Sequence, residues 1–125
     1  MNDQVKIYQD FIDELTELNE GVAAIWILEK EYPSVKENES INNLLKRLSK
    51  SDKEIIAQMV TDARIDGIHD TLVYLQDNIN LEGLKIVRND IDIANMPHGT
   101  TMHWDYVARS QGQEWPTEQL DEKYK

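Results

Sequence analysis

The sequence predicts a mainly α-helical protein, a compact bundle of about four to five helices with one small β-hairpin at about residues 84–94. Up to about residue 82, apolar residues recur at the three- and four-residue spacing of helices that bury one face. From Gly83 onward the spacing changes to the alternation of strands. A hydrophobic content of 40% is sufficient for one core. We therefore expect a single helical domain over residues 1–116 and a polar tail, free to fray, over residues 117–125.

The first predicted helix begins with Asp3 as its capping residue and runs to about Glu31. Its apolar residues stay on one stripe across Gly21, so this glycine is expected inside the helix. Pro33 ends the helix, because the residue before a proline is pushed out of helical geometry. The stripe consists of Val5, Tyr8, Phe11, Ile12, Leu15, Leu18, Val22, Ile25 and Trp26.

Two further helical segments are predicted in the middle of the chain. A short helix covers about residues 39–49, and Ser51 and Glu54 have the spacing of a capping box at the start of the next helix. The apolar stripe of that helix shifts by about 140° after residue 66. Gly67 makes a break there easier, so we favour two helices joined at Asp66-Gly67 over one helix buried on two sides.

The last third of the chain predicts a hairpin followed by a short helix. A two-residue loop of Asn89 and Asp90 would place Ile86 opposite Ile93. Residues 101–110 are expected to form a helix that ends near Gly112. Apolar residues also alternate in this segment, so a strand remains an alternative for it.

Composition narrows the classes of function. The net charge is −11, from 13 basic and 24 acidic residues, which disfavours binding to nucleic acid. No membrane partner is expected either. Cysteine is absent, so disulfides, thiolate metal sites and cysteine nucleophiles are excluded. The longest apolar run, residues 22–28, is far shorter than the roughly 20 residues that span a bilayer. We therefore expect a cytoplasmic protein.

The first candidate site is an acidic cluster that contains one histidine. Asp62, Asp66 and Asp70 follow one another at four-residue spacing, and His69 lies three residues after Asp66. On a helix these side chains could bind a divalent cation or act as acid and base. The simpler interpretation is a solvated acidic face, and no resident metal or cofactor is expected. Asp66, His69 and Asp70 are kept as candidate binding residues.

A second acidic pattern and a basic patch carry weaker signals. Glu14, Glu17 and Glu20 form two overlapping E-x-x-E pairs, the pattern that helical nucleotide pyrophosphatases use to hold magnesium, but the spacing is common in acidic helices. Lys46, Arg47, Lys50 and Lys53 form the one basic patch. We expect this patch to balance the acidic first helix, within the molecule or across a homodimer.

The second candidate site is a dense group of aromatic and polar residues near the end of the chain. Trp and Arg are the residue types that most often anchor binding surfaces, so this group could line a cleft for a ligand or a partner. Alternatively, the two tryptophans seal the hairpin against the helices, and the arginine pairs with a carboxylate. The group consists of His98, His103, Trp104, Tyr106, Arg109 and Trp115.

Two segments resemble those of a known family. Asp66-Gly67-Ile68-His69-Asp70-Thr71-Leu72 and Arg109-Ser110-Gln111-Gly112-Gln113-Glu114-Trp115-Pro116 are similar to segments of small uncharacterised bacterial proteins. The resemblance covers nearly the whole chain and implies a bacterial origin. That family has no assigned activity, so the resemblance carries over no catalytic residue.

The sequence therefore favours a non-enzymatic interaction module, of the inhibitor or immunity-protein kind, that presents an acidic face to a basic protein partner. The alternative is a small metal-dependent hydrolase built on the cluster of Asp62, Asp66, His69 and Asp70. An enzyme requires a concave pocket where acidic residues converge, whereas a module requires only an exposed face.

Overall fold

The structure, a computed structural model, describes residues 2–29 and 31–125. It is mainly helical and carries one two-stranded antiparallel hairpin, as the sequence predicts. The helices are α1 (Asp3–Thr16), α2 (Val22–Glu29), α3 (Glu39–Arg47), α4 (Lys50–Leu81) and α5 (Met102–Ser110), and the strands are β1 (Val87–Arg88) and β2 (Ile91–Asp92). Short 3-10 helices cover Lys36–Asn38 and Glu122–Tyr124.

The chain divides into two compact units. Unit 1 comprises Met1–Leu18 and Gly67–Lys125, and unit 2 comprises Asn19–Asp66. No linker or change of composition marks this division in the sequence, and its one sign there is the shift of the apolar stripe after residue 66. One boundary lies just after α1, and the other lies within α4.

In unit 1, α1 packs against α5 and lies next to β2. Val5, Tyr8 and Ile12 of the predicted stripe are buried. The residue that caps α1 is Asn2, whose side-chain oxygen accepts from the backbone N–H groups of Gln4 and Val5. The prediction of Asp3 as the cap is therefore wrong by one residue, and Asp3 is the first helical residue.

The prediction of one long helix across Gly21 is wrong. α1 ends at Thr16, and α2 begins only at Val22. A Cβ atom on Gly21 would lie 3.0 Å from Cδ of Arg64, so the absence of a side chain allows the Arg64 chain to pack against this backbone. The apolar spacing continues across residues 17–21, but it contains no information about the contact between Gly21 and Arg64.

Unit 2 holds α2, α3 and the first half of α4 around a small core. Ile27, Leu45 and Ala57 are its buried centre, with partly buried side chains packed around them. Asn42 of α3 holds the segment that follows α2, because its side-chain amide donates to the Tyr32 carbonyl and accepts from the Tyr32 N–H.

The capping box at Ser51 is also a wrong prediction. α4 begins at Lys50, and the hydroxyl of Ser49 accepts from the backbone N–H of Asp52 at 3.1 Å. Ser49 therefore provides the cap, and Ser51 lies inside the first turn.

α4 continues through Gly67 for 32 residues, so the favoured break is wrong and the single-helix alternative is correct. Each half of α4 buries its own stripe within its own unit. Ile56 and Val60 pack in unit 2, whereas Leu72 and Gln76 are buried in unit 1. The shift of the apolar stripe therefore marks the boundary between two units rather than the end of a helix.

The hairpin is confirmed, although its regular part is shorter than residues 84–94. Val87 pairs with Asp92 and Arg88 pairs with Ile91. Asn89 and Asp90 have φ values of 54° and 63°, as the two central residues of a type I′ turn require. The N–H of Ile93 donates to the Ile86 carbonyl at 3.0 Å, which confirms that these two residues lie opposite each other.

Residues 102–110 form a helix, α5, and not a strand. The hydroxyl of Thr101 caps it by accepting from the N–H of Trp104, and the chain turns at Gly112 with a φ of 82°. The polar tail is part of unit 1 and packs against the rest of it. Tyr124 is buried, and its hydroxyl accepts from the N–H of Asn95 at 2.8 Å. Among the described residues, no helix combines the length and apolar character needed to cross a bilayer.

Candidate functional site

A cleft of about 200 Å³ lies in unit 1, between α5 and the segment that follows it. α5 contributes Trp104, Asp105 and Arg109 to its lining, and the following segment contributes Glu114 and Trp115. We call this the Trp cleft. Its volume is below the roughly 300–1,000 Å³ of sites for drug-sized ligands, so it suits a single side chain or a small polar group.

Asp13 of α1 holds one wall of the Trp cleft in place. Nε of Arg109 lies 2.7 Å from Oδ1 of Asp13, and Nη2 lies 3.3 Å from Oδ2. The indole Nε1 of Trp115 donates to the same Oδ2 at 3.1 Å. The Arg109 guanidinium also lies 5.1 Å from the centroid of the Trp115 ring, within cation–π range. One carboxylate therefore orients both side chains.

Asp105 is a buried carboxylate on the wall of the Trp cleft. Its two oxygens accept hydrogen bonds from the hydroxyls of Tyr8 and Thr100. Burial raises the pKa of the Tyr8 hydroxyl, and the negative charge of Asp105 raises it further. Tyr8 therefore remains a proton donor at neutral pH. The hydrogen-bond partners of Asp105 are neutral, so they do not offset its charge.

His98 has a structural role at the edge of the cleft. It is buried; its Nδ1 lies 2.8 Å from the Gln119 carbonyl, and its Nε2 lies 3.1 Å from the Gln9 amide nitrogen. A carbonyl only accepts, so Nδ1 carries a proton, and Nε2 accepts from the amide. Both ring nitrogens are thus occupied, and the ring packs 5.4 Å from that of Trp115. His98 supports Trp115 and has no free nitrogen for acid–base chemistry.

The other two predicted histidines form a separate pair in unit 1. The rings of His69 on α4 and His103 on α5 meet edge to face, with centroids 5.4 Å apart. Nδ1 of His69 lies 3.3 Å from a carboxylate oxygen of Asp70. Nδ1 of His103 is buried without a hydrogen-bond partner. Burial lowers the pKa of His103 and the neighbouring His69 lowers it further, while Asp77 and Asp105 act in the opposite direction.

The acidic residues predicted for a metal site do not form a ligand set. Asp62, Asp66, His69 and Asp70 all lie on α4. Asp62 accepts from the Gln58 amide at 2.8 Å. Within residues 2–29 and 31–125, no group of three or more His, Asp or Glu side chains is placed to hold a metal ion. No observation in this cluster therefore favours the hydrolase alternative.

The acidic face of α1 is largely neutralised within the molecule. Lys6 pairs with Asp10 at 2.6 Å, and Arg109 pairs with Asp13. Arg88 of β1 makes two hydrogen bonds to Glu14, at 3.3 and 2.9 Å. The balancing cations come from within α1, from the hairpin and from α5. This face is therefore less negative than its sequence suggests.

Four of the predicted residues, His98, Trp104, Arg109 and Trp115, thus line the Trp cleft, whereas His69, Asp70 and His103 gather elsewhere. Asp66 does not line the cleft. Asp13, Asp105, Tyr8 and Thr100 were not predicted as site residues from the sequence. Tyr8 appears in the apolar stripe of α1 only as a core residue. The spacing of Thr100 and Asp105 around a helix start was the one local signal for a hydroxyl–carboxylate pair.

No curated protein and no solved structure matches the chain. A family model, described as a family of unknown function (DUF6547), matches residues 1–117. This match covers unit 2, unit 1 up to residue 117, and the whole lining of the Trp cleft except Gln119. The chain therefore belongs to the family of unknown function DUF6547.

Proposed function

We propose that this protein is a non-enzymatic interaction module of a bacterial cytoplasm, and that its Trp cleft receives a lysine or arginine side chain of a basic protein partner. The observation that carries the proposal is the carboxylate of Asp105. It is buried, it accepts hydrogen bonds from two neutral hydroxyls, and it lies on the wall of a cleft that two tryptophans also line. Such a carboxylate attracts a cation, and its burial strengthens the attraction.

The remainder of the cleft fits the same ligand. The side chain of Trp104 is 64% exposed, so its ring face is open to a cation from the partner. Arg109 is already engaged by Asp13 and by the Trp115 ring, and Glu114 adds a second acidic group at the rim. A single basic side chain also matches a volume of about 200 Å³.

Long-range charge supports a basic partner as well. Unit 1 contains 15 acidic and six basic residues, a net charge of −9. Such a field speeds association with a basic protein and repels acidic ones. Because Asp10, Asp13 and Glu14 of α1 are paired internally, the proposed docking place is the Trp cleft and not the face of α1.

The test compares two exposed aromatic residues of unit 1. Trp104 lines the cleft, whereas Tyr74 on α4 is similarly exposed, at 65%, and does not line it. A partner is first captured from the native host with the wild-type chain and then purified. Its dissociation constant is measured by calorimetry for wild type, Trp104→Ala and Tyr74→Ala at low and high salt.

We expect Trp104→Ala to weaken binding at least about 30-fold, the effect of losing a central aromatic anchor, and Tyr74→Ala to change it less than about twofold. Glu114→Gln should reduce the salt dependence of association, while Glu118→Gln, outside the cleft lining, should not. Equal affinities for Trp104→Ala and Tyr74→Ala would exclude the Trp cleft as the docking place.

A further inference from the structure

Unit 2 exposes more large apolar side chains than it buries. Among its described residues, the buried hydrophobic side chains are three: Ile27, Leu45 and Ala57. Eight large ones are exposed, namely Val22, Ile25, Leu28, Val35, Ile41, Leu44, Ile55 and Met59. The described part of unit 1 shows the opposite balance, with nine buried and six exposed. The excess of uncovered apolar surface is thus specific to unit 2.

The helices of unit 2 present this surface in a regular way. α2 reads VAAIWILE and is apolar on all sides, the pattern of a helix that is buried all round, yet Val22, Ile25 and Leu28 are about half exposed. On α4, Ile55 and Met59 are one turn apart and are 59% and 62% exposed. Large apolar patches of this kind mark interaction surfaces in soluble proteins.

The size of unit 2 points in the same direction. It contains 48 residues, and a unit of this length buries too little surface to be stable with a minimal core. Units of this size are commonly completed by disulfides, metals or oligomerisation. Cysteine is absent from the chain, so disulfides are excluded, and a covering surface is the most direct completion.

The charge of unit 2 indicates what kind of partner covers this surface. Unit 2 contains nine acidic and seven basic residues, a net charge of −2 against −9 for unit 1. Side chains of both signs lie close together on it: Glu31, Glu39, Lys36 and Lys46 line one depression of about 250 Å³. Two copies of unit 2 therefore repel little, and a two-fold interface can place basic side chains of one copy against acidic side chains of the other.

We propose that the exposed apolar face of unit 2 is the interface of a homodimer, in which α2 and the Ile55–Met59 stripe of one copy pack against the same surface of a second copy. Two copies of unit 1, each with a net charge of −9, repel each other, so unit 1 is not the proposed interface. Dimerisation through unit 2 does not depend on the proposed function of the cleft.

The experiment is sedimentation equilibrium of the 125-residue chain from about 1 µM to about 1 mM, since dimer dissociation follows mass action. Wild type should have twice the monomer mass of 14.6 kDa. Ile55→Glu and Met59→Glu should each raise the dissociation constant at least about 30-fold, because each places an unpaired charge in an apolar interface. Leu81→Glu, which changes a 78% exposed residue of unit 1, should leave it unchanged.

Two further measurements distinguish a homodimer from a monomer whose apolar face binds lipid. The melting temperature of wild type should rise with protein concentration, and those of the Ile55→Glu and Met59→Glu variants should rise less. Trp104→Ala should dimerise like wild type whether or not the cleft binds a basic partner. A chain that remains monomeric throughout, a dimer that tolerates both glutamates, or a monomer that sediments with vesicles of a zwitterionic lipid would each overturn the homodimer.

Discussion

The hydroxyl of Tyr8 is the most informative single group to remove. Tyr8 is fully buried, and it donates a hydrogen bond to Asp105, which is itself only 6% exposed. Tyr8→Phe keeps the ring and its packing 6.0 Å from the Trp115 ring, and it deletes one of the two hydroxyl donors of the carboxylate. Thr100 then remains as the only one of these donors.

The expected cost follows from the charge and burial of the acceptor. A hydrogen bond to a charged group contributes about 1.5–3 kcal/mol, and a buried acceptor that loses its donor is at the upper part of this range. We therefore expect Tyr8→Phe to lower the free energy of unfolding by about 2.5 kcal/mol. Urea denaturation followed by circular dichroism measures this loss as a shift of the midpoint with an unchanged slope.

Tyr74→Phe is the matched control, because the same atom is removed from a ring that is 65% exposed. Its effect should lie within about 0.5 kcal/mol of zero. The double variant Tyr8→Phe with Thr100→Val should lose more than the sum of its parts, since the carboxylate then lacks both donors. If Tyr8→Phe and Tyr74→Phe cost the same, the buried hydrogen bond contributes nothing net, and this reasoning is refuted.

Three further predictions concern α4 and the histidine pair. Ser49→Ala should lower the free energy of unfolding by about 1 kcal/mol and Ser51→Ala by much less, a contrast that urea melts can measure and that would be reversed if Ser51 were the cap. Gly67→Ala should stabilise the protein by about 0.5–1 kcal/mol, because a Cβ at this helical position meets no atom within 4 Å; a lower thermal midpoint would indicate a break in α4. The folded-state pKa of His103 is below its ordinary 6.5, so the unfolded state takes up the proton more readily, and stability should fall as pH drops from about 7.5 to about 5.5. His103→Gln should reduce that loss in urea melts at the two pH values, and an unchanged loss would assign it to other groups.

Features that depend on local chemistry could be predicted from the sequence. Asn89 and Asp90 tolerate positive φ values, so the turn and the pairing of Ile86 with Ile93 could be predicted from residues within the segment 86–93. The helix over residues 102–110 was predicted in the same way. In each case, the residues that determine the structure are close together in the sequence.

Features that depend on distant contacts could not be predicted. The gap between α1 and α2 is associated with the Arg64 side chain packing on Gly21, and the apolar stripe has no information about this contact. The shift of the stripe in α4 was visible, but a helix break and a change of unit produce the same pattern. The Trp cleft was predicted only as a group of residue types, because Asp13 lies 96 positions from Arg109 and 102 from Trp115.

The carboxylate of Asp13 also affects how members of this family can diverge. It is a single acceptor for two donors, Arg109 and Trp115. In a relative with an apolar residue in place of Asp13, Arg109 and Trp115 would both lose their acceptor. In a relative without Trp115, Asp13 and Arg109 would each have one hydrogen-bonding or stacking partner fewer. We therefore expect positions 13, 109 and 115 to be inherited as a set, so that the pattern of replacements among relatives distinguishes lineages that keep the cleft from those that have abandoned it.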